Sequence, residues 1–372
     1  MRMRWLGEVY EAFRDFEEGR RKLCDIIVRV ALAAYHAVSE GECRDEREFN
    51  KIVEFYEKCL RDPRVLRSES EVACAKIGLI DIAETILLCI NSRRLDLVKY
   101  LIEFGQDGCK EVRIEALKTY RRCIEKCDFP EDVVEALWSV VRKAVEDDYD
   151  EVRLYAILAM HEIAWKYPKY REEAVKLLEE RVCSELLYDN WHRAFLAYTS
   201  LKYNIEYGEL VNFDSRMGRW CREGRVDDLI KALKSANNPY CKYRATRSLI
   251  NFAKDPRVKE IFLELCKSRD PFLRLYAARG LREAGDSRAK ECFLSLLDSG
   301  CDAAVYDACE YLLEYFAGEL SLEELSKIKK MLGEMRRRTN DQFYKRLIVD
   351  LEAKVNKLLI KLKRKARRKR KK

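Results

Sequence analysis

The sequence contains few of the residues on which enzymes and metal sites depend. Its 372 residues include only three histidines, His36, His161 and His192, and no two of its fifteen cysteines form a CxxC pair. No Walker loop, G-x-S-x-G or H-E-x-x-H motif occurs, and no Cys/His cluster has the spacing of a zinc site. We therefore predict a protein with no catalytic residues, no metal ion and no cofactor.

Long apolar runs and uncharged polar side chains are also scarce. The most apolar stretch, residues 77–90, is too short to span a membrane and contains Asp81 and Glu84. No signal peptide is evident, so we expect a soluble, cytoplasmic protein. Glutamine occurs twice and threonine five times, whereas Lys, Arg and Glu are abundant, a bias typical of thermophiles. Because intracellular proteins of hyperthermophiles can be rich in disulfides, we expect one or more bridges between adjacent helices.

A segment that recurs every 32 residues is the strongest positive feature. Residues 238–249 read NPYCKYRATRSL, 270–281 read DPFLRLYAARGL and 302–313 read DAAVYDACEYLL. Asp270 suits a helix N-cap and Pro271 the first helical position. Apolar residues at helical spacing follow, so each copy predicts a pair of amphipathic helices. A period of this length marks an array of stacked units, none of which can bury its apolar face alone.

The repeated phrase resembles a known family. An Asp-Pro turn, then x-Val/Leu-Arg-x-x-Ala-Ala-x-x-Leu, a Gly-Asp turn and a second helix resemble HEAT repeats, most closely the short HEAT-like repeats named after phycobilisome lyases. Weaker copies at 112–120 and 152–160 extend the resemblance over roughly residues 93–319. The resemblance implies an all-α, right-handed α-solenoid of about eight helix pairs and no lyase activity. The motif arginines Arg113, Arg153 and Arg274 are predicted to bond neighbouring turns.

We predict four regions along the chain. They are an N-terminal helical cap at 1–92, HEAT-like repeats at 93–319, a C-terminal helical hairpin at 320–353, and a basic helix end and tail at 354–372. Within the repeats, residues 207–224 contain three glycines and little periodicity, so we expect an irregular break there. A stripe of apolar residues predicts a long last helix: Leu347, Leu351, Val355, Leu358 and Leu362.

The positive charge of the chain is concentrated at its C-terminus. The net charge is +8, yet residues 354–372 contain twelve basic and no acidic side chains, so the remainder is mildly acidic. Such a block predicts attachment to RNA, DNA or a ribonucleoprotein by counterion release, without sequence preference because no aromatic residue accompanies it. A solubilising terminus, a localisation signal and an anionic membrane surface are alternatives. The candidate contacts are Lys361, Lys363, Arg364, Lys365, Arg367, Arg368, Lys369, Arg370, Lys371 and Lys372.

Four arginines inside the repeats form a second candidate surface. Arg244, Arg247, Arg279 and Arg282 fall on successive second helices, about one period apart, and second helices line the concave face of HEAT arrays. They predict a basic stripe in the groove, although the third repeat has no arginine at these positions. A solvated charged helix face is the plainer interpretation of the same residues.

Two enzyme families built on HEAT-type arrays do not fit the sequence. Deoxyhypusine hydroxylase binds two irons through several His-Glu pairs, whereas this chain has the single pair His161-Glu162. Alkylpurine DNA glycosylases use an Asp with flanking tryptophans, and the spacing of the five tryptophans selects no such trio. We expect a non-catalytic scaffold that docks on nucleic acid or a ribonucleoprotein through the tail, with a protein partner on the concave surface. A pure protein–protein adaptor and a HEAT-like base-excision enzyme are the alternatives.

Overall fold

The computed structural model describes residues 4–27, 30, 33–34, 46–90 and 94–370. Helices and short turns account for all of its regular structure, and no strand occurs in these ranges, which confirms the all-α prediction. No helix in the described residues is both long enough and apolar enough to cross a membrane. The chain divides into two compact units, Met1–Arg171 and Glu172–Lys372.

Among the described residues of the first unit we number eight helices. They are α1 (Arg4–Glu17), α2 (Glu46–Cys59), α3 (Pro63–Leu66), α4 (Glu69–Thr85), α5 (Leu95–Phe104), α6 (Lys110–Lys126), α7 (Glu131–Ala144) and α8 (Asp150–Lys166). A π-helical segment, Ile86–Ile90, continues α4. Helix α6 packs on α4 and on α8, while α5 packs on α4 and α6, and α7 packs on α5 and α8. Stacking of this kind buries one stripe of each helix against its neighbours.

The second unit repeats this arrangement over a longer stretch. Its helices are α9 (Arg171–Ser184), α10 (Tyr188–Tyr203), α11 (Tyr207–Arg222), α12 (Val226–Ser235), α13 (Pro239–Leu249), α14 (Pro256–Leu265), α15 (Pro271–Glu283), α16 (Arg288–Leu296), α17 (Asp302–Tyr315), α18 (Leu322–Arg338) and α19 (Gln342–Arg370). Helices α13, α15 and α17 stack on one another, preceded by α10 and α11 and followed by α19. We call α4, α6 and α8 in the first unit, and α13, α15 and α17 in the second, the motif layer of each unit.

Local capping explains where the repeat helices begin. The Asp270 side chain accepts hydrogen bonds from the backbone N–H groups of Phe272 (2.8 Å) and Leu273 (3.1 Å), as the sequence predicts. Asn238 caps α13 in the same way through Cys241 N–H at 2.9 Å. Each such cap stabilises its helix by about 1 kcal/mol.

The motif arginines hold neighbouring turns together, which confirms that prediction. Arg113 donates to the carbonyl of Asp107 in its own turn at 2.7 Å and pairs with Asp147 in the next turn at 2.9 Å. Arg153 donates to the Asp147 carbonyl at 2.7 Å, and Arg274 lies 3.3 Å from the carbonyl of Ser295. Arg113 therefore links two successive turns, Arg153 bonds the turn that precedes its own helix, and Arg274 bonds the end of the following helix, α16.

The stretch 207–224, where the sequence predicts a break, contains a regular helix, α11. Only Leu210 and Met217 of this helix are buried, which explains its weak apolar periodicity. Gly224 follows in the left-handed region with φ of +70°, which a glycine adopts without strain. A change of curvature at this point stays a prediction, as do the four region boundaries.

The predicted long last helix is present as α19. Leu351 and Val355 are buried as expected, together with Ile348 and Leu359, and they pack on α18 and α17. Leu347, Leu358 and Leu362 are only partly buried, so the packed stripe lies to one side of the predicted one. The difference arises because α19 is held by two helices, which select a broader face than a single apolar seam.

Two disulfides confirm the expectation of bridges between helices. Cys24 and Cys74 are joined in the first unit, with Cα atoms 5.3 Å apart. Cys266 at the end of α14 and Cys292 on α16 are joined in the second unit, with Cα atoms 5.7 Å apart. Each unit is therefore cross-linked independently of the other.

Candidate functional site

The four arginines predicted to line a groove lie on two adjacent helices of the second motif layer. Arg244 and Arg247 are on α13, and Arg279 and Arg282 are on α15. Arg279 Nη2 donates to a carboxylate oxygen of Asp307 on α17 at 2.6 Å, and Arg244 pairs with Asp214 on α11. These contacts bring the arginines into one region but partly neutralise them, so the predicted stripe is less basic than its composition indicates. Their contact with nucleic acid stays a prediction.

Tyrosine rings lie against all four of these arginines, with Arg244 the most distant at 5.7 Å from the ring centre of Tyr243. The guanidinium carbon of Arg279 lies 4.7 Å from the ring centre of Tyr276 and 4.5 Å from that of Tyr311. The corresponding distance from Arg282 to Tyr315 is 3.9 Å, and that from Arg247 to Tyr188 is 4.8 Å. Such cation–π contacts hold a guanidinium plane in a fixed orientation. We name this surface the Arg–Tyr face: Tyr188, Arg247, Tyr276, Arg279, Arg282, Tyr311 and Tyr315.

Sequence reasoning missed the tyrosines of this face, although a signal existed. Tyr311 stands 32 residues after Arg279, so the same repeat position holds arginine in one copy and tyrosine in the next. Because consecutive copies stack in register, an arginine and a tyrosine at equivalent positions become neighbours. The interruption of the arginine stripe in the third repeat is therefore the source of the stacked pair.

A cavity of about 240 Å³ opens at one end of the Arg–Tyr face. Its walls come from the turn after α9 and from α10, α13, α15 and α17. The polar side chains of the lining are Glu185, Tyr188, Trp191, Arg247, Tyr276, Arg279 and Asp307, and Phe272 supplies an apolar wall. A space of this size accommodates one side chain or a similarly small group rather than a whole cofactor.

The two carboxylates of the cavity are already engaged within the protein. Glu185 is 1% exposed and accepts a hydrogen bond from the hydroxyl of Tyr344 at 2.5 Å. Burial raises the pKa of Asp307 above its ordinary value, against the opposing effect of the neighbouring Arg279 guanidinium. Each carboxylate therefore already has a protein partner.

Positive charge dominates the side of the cavity next to α10. Burial, together with the guanidinium groups of Arg244, Arg193 and Arg247, lowers the pKa of His192 to about 4. His192 is consequently a neutral imidazole near pH 7, and its ring nitrogen lies 2.8 Å from the hydroxyl oxygen of Tyr240. The local field thus favours an anion close to Arg247.

Several hydrogen-bond donors of the lining lack protein acceptors, among them the Nε–H of Arg279. Trp191 is 5% exposed, and its indole N–H has no hydrogen-bond partner among the described residues. Arg247 uses only Nη1, which donates to the hydroxyls of Tyr188 and Tyr243. In the part of the chain that the structure describes, no carboxylate lies within ion-pair distance of Arg247. The cavity therefore has more donors than acceptors.

The basic end of α19 is the other candidate surface. Lys354, Lys357, Lys361 and Arg364 are exposed, and Lys363 is exposed beside them. The last acidic side chain of the sequence is Glu352, which pairs with Arg336 at 3.4 Å. The side chains of Lys365, Arg367, Arg368, Lys369 and Arg370, and residues Lys371 and Lys372, lie outside the description.

The structure contains parts of the two enzyme sites considered from the sequence, namely a His-Glu pair and a tryptophan near an aspartate. His161 is 4% exposed beside Glu162, and the described residues contain no group of three or more His, Cys, Asp or Glu side chains that could hold a metal ion. Trp138 is buried and stacks on Tyr170. Trp191, however, lines the cavity together with arginines and the partly exposed Asp307. His36 lies outside the described residues.

Comparisons with known proteins identify the repeat type. Residues 226–314 match the family described as HEAT repeats, and no curated protein matches the chain. Similar solved structures include an engineered protein (17% identity, TM-score 0.30, 91% of this chain and 98% of that chain covered) and a designed armadillo repeat protein (16%, 0.31, 63% and 99%). Another is an archaeal HEAT-like repeats protein from Thermococcus onnurineus NA1 (13%, 0.26, 78% and 98%). At TM-scores of this size these similarities carry no argument about function.

Proposed function

We propose, from the premise that this chain carries HEAT-like repeats at residues 226–314, that it is a non-catalytic binding scaffold. Its basic C-terminal helix docks on nucleic acid or on a ribonucleoprotein, and its Arg–Tyr face contacts a protein partner. The two surfaces have separate tasks: α19 captures nucleic acid electrostatically, and the repeats recognise the shape of a protein partner.

One observation supports the nucleic-acid contact more than any other. Lys354, Lys357, Lys361 and Arg364 follow one another at spacings of three and four, so they lie on one exposed face of α19. At 1.5 Å per residue this row is about 15 Å long, enough to contact several consecutive phosphates. No acidic side chain follows Glu352 to neutralise it.

The test is binding of the full-length protein to labelled duplex DNA and to structured RNA across a salt series. For duplex DNA the logarithm of the binding constant should fall with the logarithm of salt by about 0.9 per phosphate contact. Changing Lys354, Lys357, Lys361 and Arg364 to Gln should flatten this slope. A matched control changes four exposed basic residues elsewhere to Gln, namely Lys231, Lys234, Lys329 and Arg337, and should leave the slope unchanged. Absence of binding at low salt would overturn the proposal.

Side-chain chemistry supports a protein contact on the repeats. Tyr188 and Tyr315 are exposed by 44% and 43%, although each stacks on an arginine. Arginine and tyrosine are enriched at protein interfaces because both offer large contact areas and a polar end. The stacked pairs are also ordered before binding, which reduces the entropy cost of forming an interface.

A second candidate function, DNA base excision, is favoured by one observation. The cavity combines Trp191 with Arg247, Arg279 and the partly exposed Asp307, which resembles part of the arrangement used by HEAT-like glycosylases. It departs from that arrangement because one tryptophan is present and Asp307 is paired with Arg279. Incubation with alkylated duplex DNA, with an Asp307→Asn variant as control, tests it by the release of free base.

A further inference from the structure

The cavity beside Trp191 and Arg247 has a donor arrangement that defines its ligand. Only the Nη1 atom of Arg247 is bound to protein groups, so the Nε and Nη2 side of its guanidinium has no acceptor among the described residues. This edge presents two parallel N–H groups, the geometry that binds a carboxylate through both of its oxygens. The unpartnered indole N–H of Trp191, buried in the same lining, supplies a further donor.

Resting on the proposed protein-binding role of the Arg–Tyr face, the geometry points to a subsite for one carboxylate of an acidic peptide segment. The carboxylate oxygens accept from the free edge of Arg247, and the indole N–H of Trp191 donates to one of them. The aliphatic part of the bound residue lies against Phe272, the apolar wall of the cavity. A cavity of about 240 Å³ holds one such residue, so the rest of the peptide follows the face outside.

The donors are fixed before any ligand arrives. Arg247 is clamped by its stack on Tyr188 and by its hydrogen bond to Tyr243, whose oxygen lies at 3.0 Å. Trp191 packs edge-on against the Tyr243 ring at 4.9 Å between ring centres, and at the same distance from Phe272. Binding therefore meets an Arg247 guanidinium that is already oriented, which favours affinity.

The walls favour a peptide carboxylate over a nucleic-acid phosphate. Glu185 and Asp307 face the same space as Arg247. A phosphodiester chain brings a charge with every nucleotide, so it would place further negative charge near these carboxylates. A single glutamate or aspartate brings one charge, which one guanidinium balances.

The direct measurement is the indole N–H resonance of Trp191 in ¹⁵N-labelled full-length protein, assigned through a Trp191→Phe variant. The probes are acetyl-Ala-Glu-Ala-amide, its Gln analogue, and acetyl-Ala-Ala-Ala with a free C-terminal carboxylate. We expect the Glu peptide to shift this resonance at millimolar concentration and the Gln peptide to leave it in place. The third probe distinguishes a side-chain carboxylate from a chain end.

Variants separate this subsite from the surrounding face. Arg247→Met should weaken binding of the Glu peptide at least about tenfold, and Arg247→Lys should restore only part of it, because lysine lacks the planar edge. Arg337→Met, which removes an exposed arginine of α18 outside the Arg–Tyr face, should leave the affinity unchanged. The other four indole resonances report whether each variant remains folded.

Several results would overturn the inference. Equal shifts with the Glu and Gln peptides would show peptide binding without carboxylate recognition, leaving the scaffold proposal intact. A larger shift with a short oligonucleotide or with inorganic phosphate would make the cavity a phosphate subsite. No shift with any peptide would remove the peptide subsite, while the salt series on α19 would still decide the nucleic-acid contact separately.

Discussion

The motif layers of the two units share one architecture, but the first contains a cluster of carboxylates and the second contains arginines stacked on tyrosines. In the first unit, Asp81 and Glu84 on α4 approach Glu115 on α6, with Arg122 paired to Glu84. In the second unit, the corresponding layer carries Arg247 and Arg279 stacked on tyrosines. Stacked helices thus fix where side chains meet, whereas the residues at a few exposed repeat positions decide which charge the layer presents.

The two layers also shift the pKa of a partly buried side chain in opposite directions. In the first unit, burial and the nearby carboxylates of Glu115 and Glu84 raise the pKa of Asp81 to about 7. In the second, burial and three arginines lower the pKa of His192 to about 4. Asp81 and His192 are both mainly neutral between about pH 4 and pH 7. Burial disfavours the ionised form of each group, and the surrounding charge has the same sign as that form. The contributions of Asp81 and His192 to stability should therefore depend on pH in opposite directions.

The largest expected effect is the loss of the disulfide in either unit. Cys24–Cys74 closes a separation of 50 residues and Cys266–Cys292 one of 26, so removing either should lower the free energy of unfolding by about 3–4 kcal/mol. Chemical denaturation with and without reductant measures this, and a Cys109→Ser variant is the control. Titration of fifteen free thiols in the denatured, unreduced protein would contradict the bridges.

The next effect compares one glycine from each unit. A Cβ at Gly280 would overlap the fully buried ring of Phe262, and one at Gly78 would overlap the buried ring of Tyr56. Either Gly→Ala change should cost about 1–3 kcal/mol of unfolding free energy, because the rings cannot move aside. Gly218→Ala is the matched control: only the end of an arginine side chain lies within 4 Å, so alanine should stabilise α11. Thermal unfolding measures the stability of the three variants. If Gly280→Ala or Gly78→Ala were as stable as Gly218→Ala, the expected overlap with the buried rings would be wrong.

The opposite pH responses can be measured by two neutral substitutions. The pKa of Asp81 is raised from 3.8 to about 7, so its contribution to stability is full below pH 3.8 and is lost as pH rises to about 7. The pKa of His192 is lowered from 6.5 to about 4, so its contribution is full above pH 6.5 and is lost as pH falls to about 4. The free energy of unfolding of Asp81→Asn should increase relative to the wild type as pH rises, and that of His192→Gln as pH falls, each by about 1–2 kcal/mol. Parallel stability curves would contradict both assignments.

The smallest effect tests the charge of the second layer by itself. Arg247→Met removes one of the three arginine charges that lower the pKa of His192, so this pKa should rise from about 4 toward its ordinary value. Titration of the His192 ring resonances measures the change. Arg282 is not among the groups that act on His192, and Arg282→Met should leave the titration where it was. An unchanged pKa in Arg247→Met would show that Arg247 does not contribute to the shift, which burial, Arg244 and Arg193 would then produce.

Much of the fold could be predicted because its signals are local. The 32-residue period, the Asp270 cap and the turn-bonding role of Arg113 all depend on residues close in sequence or on one repeated spacing. Helix α11 was the exception, since only two of its residues are buried and its pattern was too weak to detect. Periodicity reports helices that bury a stripe, and it is silent on those that do not.

The chemistry of the candidate site could not be predicted in the same way. Tyr188 and Arg247 are separated by 59 residues, and nothing near either one in the chain indicates that they stack. The cavity is lined by Trp191, Arg279 and Asp307, which come from three different helices. Its unpartnered donors can be recognised only when the hydrogen bonds of all the surrounding groups are known. Helical period and capping are properties of single segments, so composition and spacing alone determined the all-α repeat array. Which charges are neutralised and which remain free depends on the packing of helices far apart in sequence, and only the tertiary structure decided it.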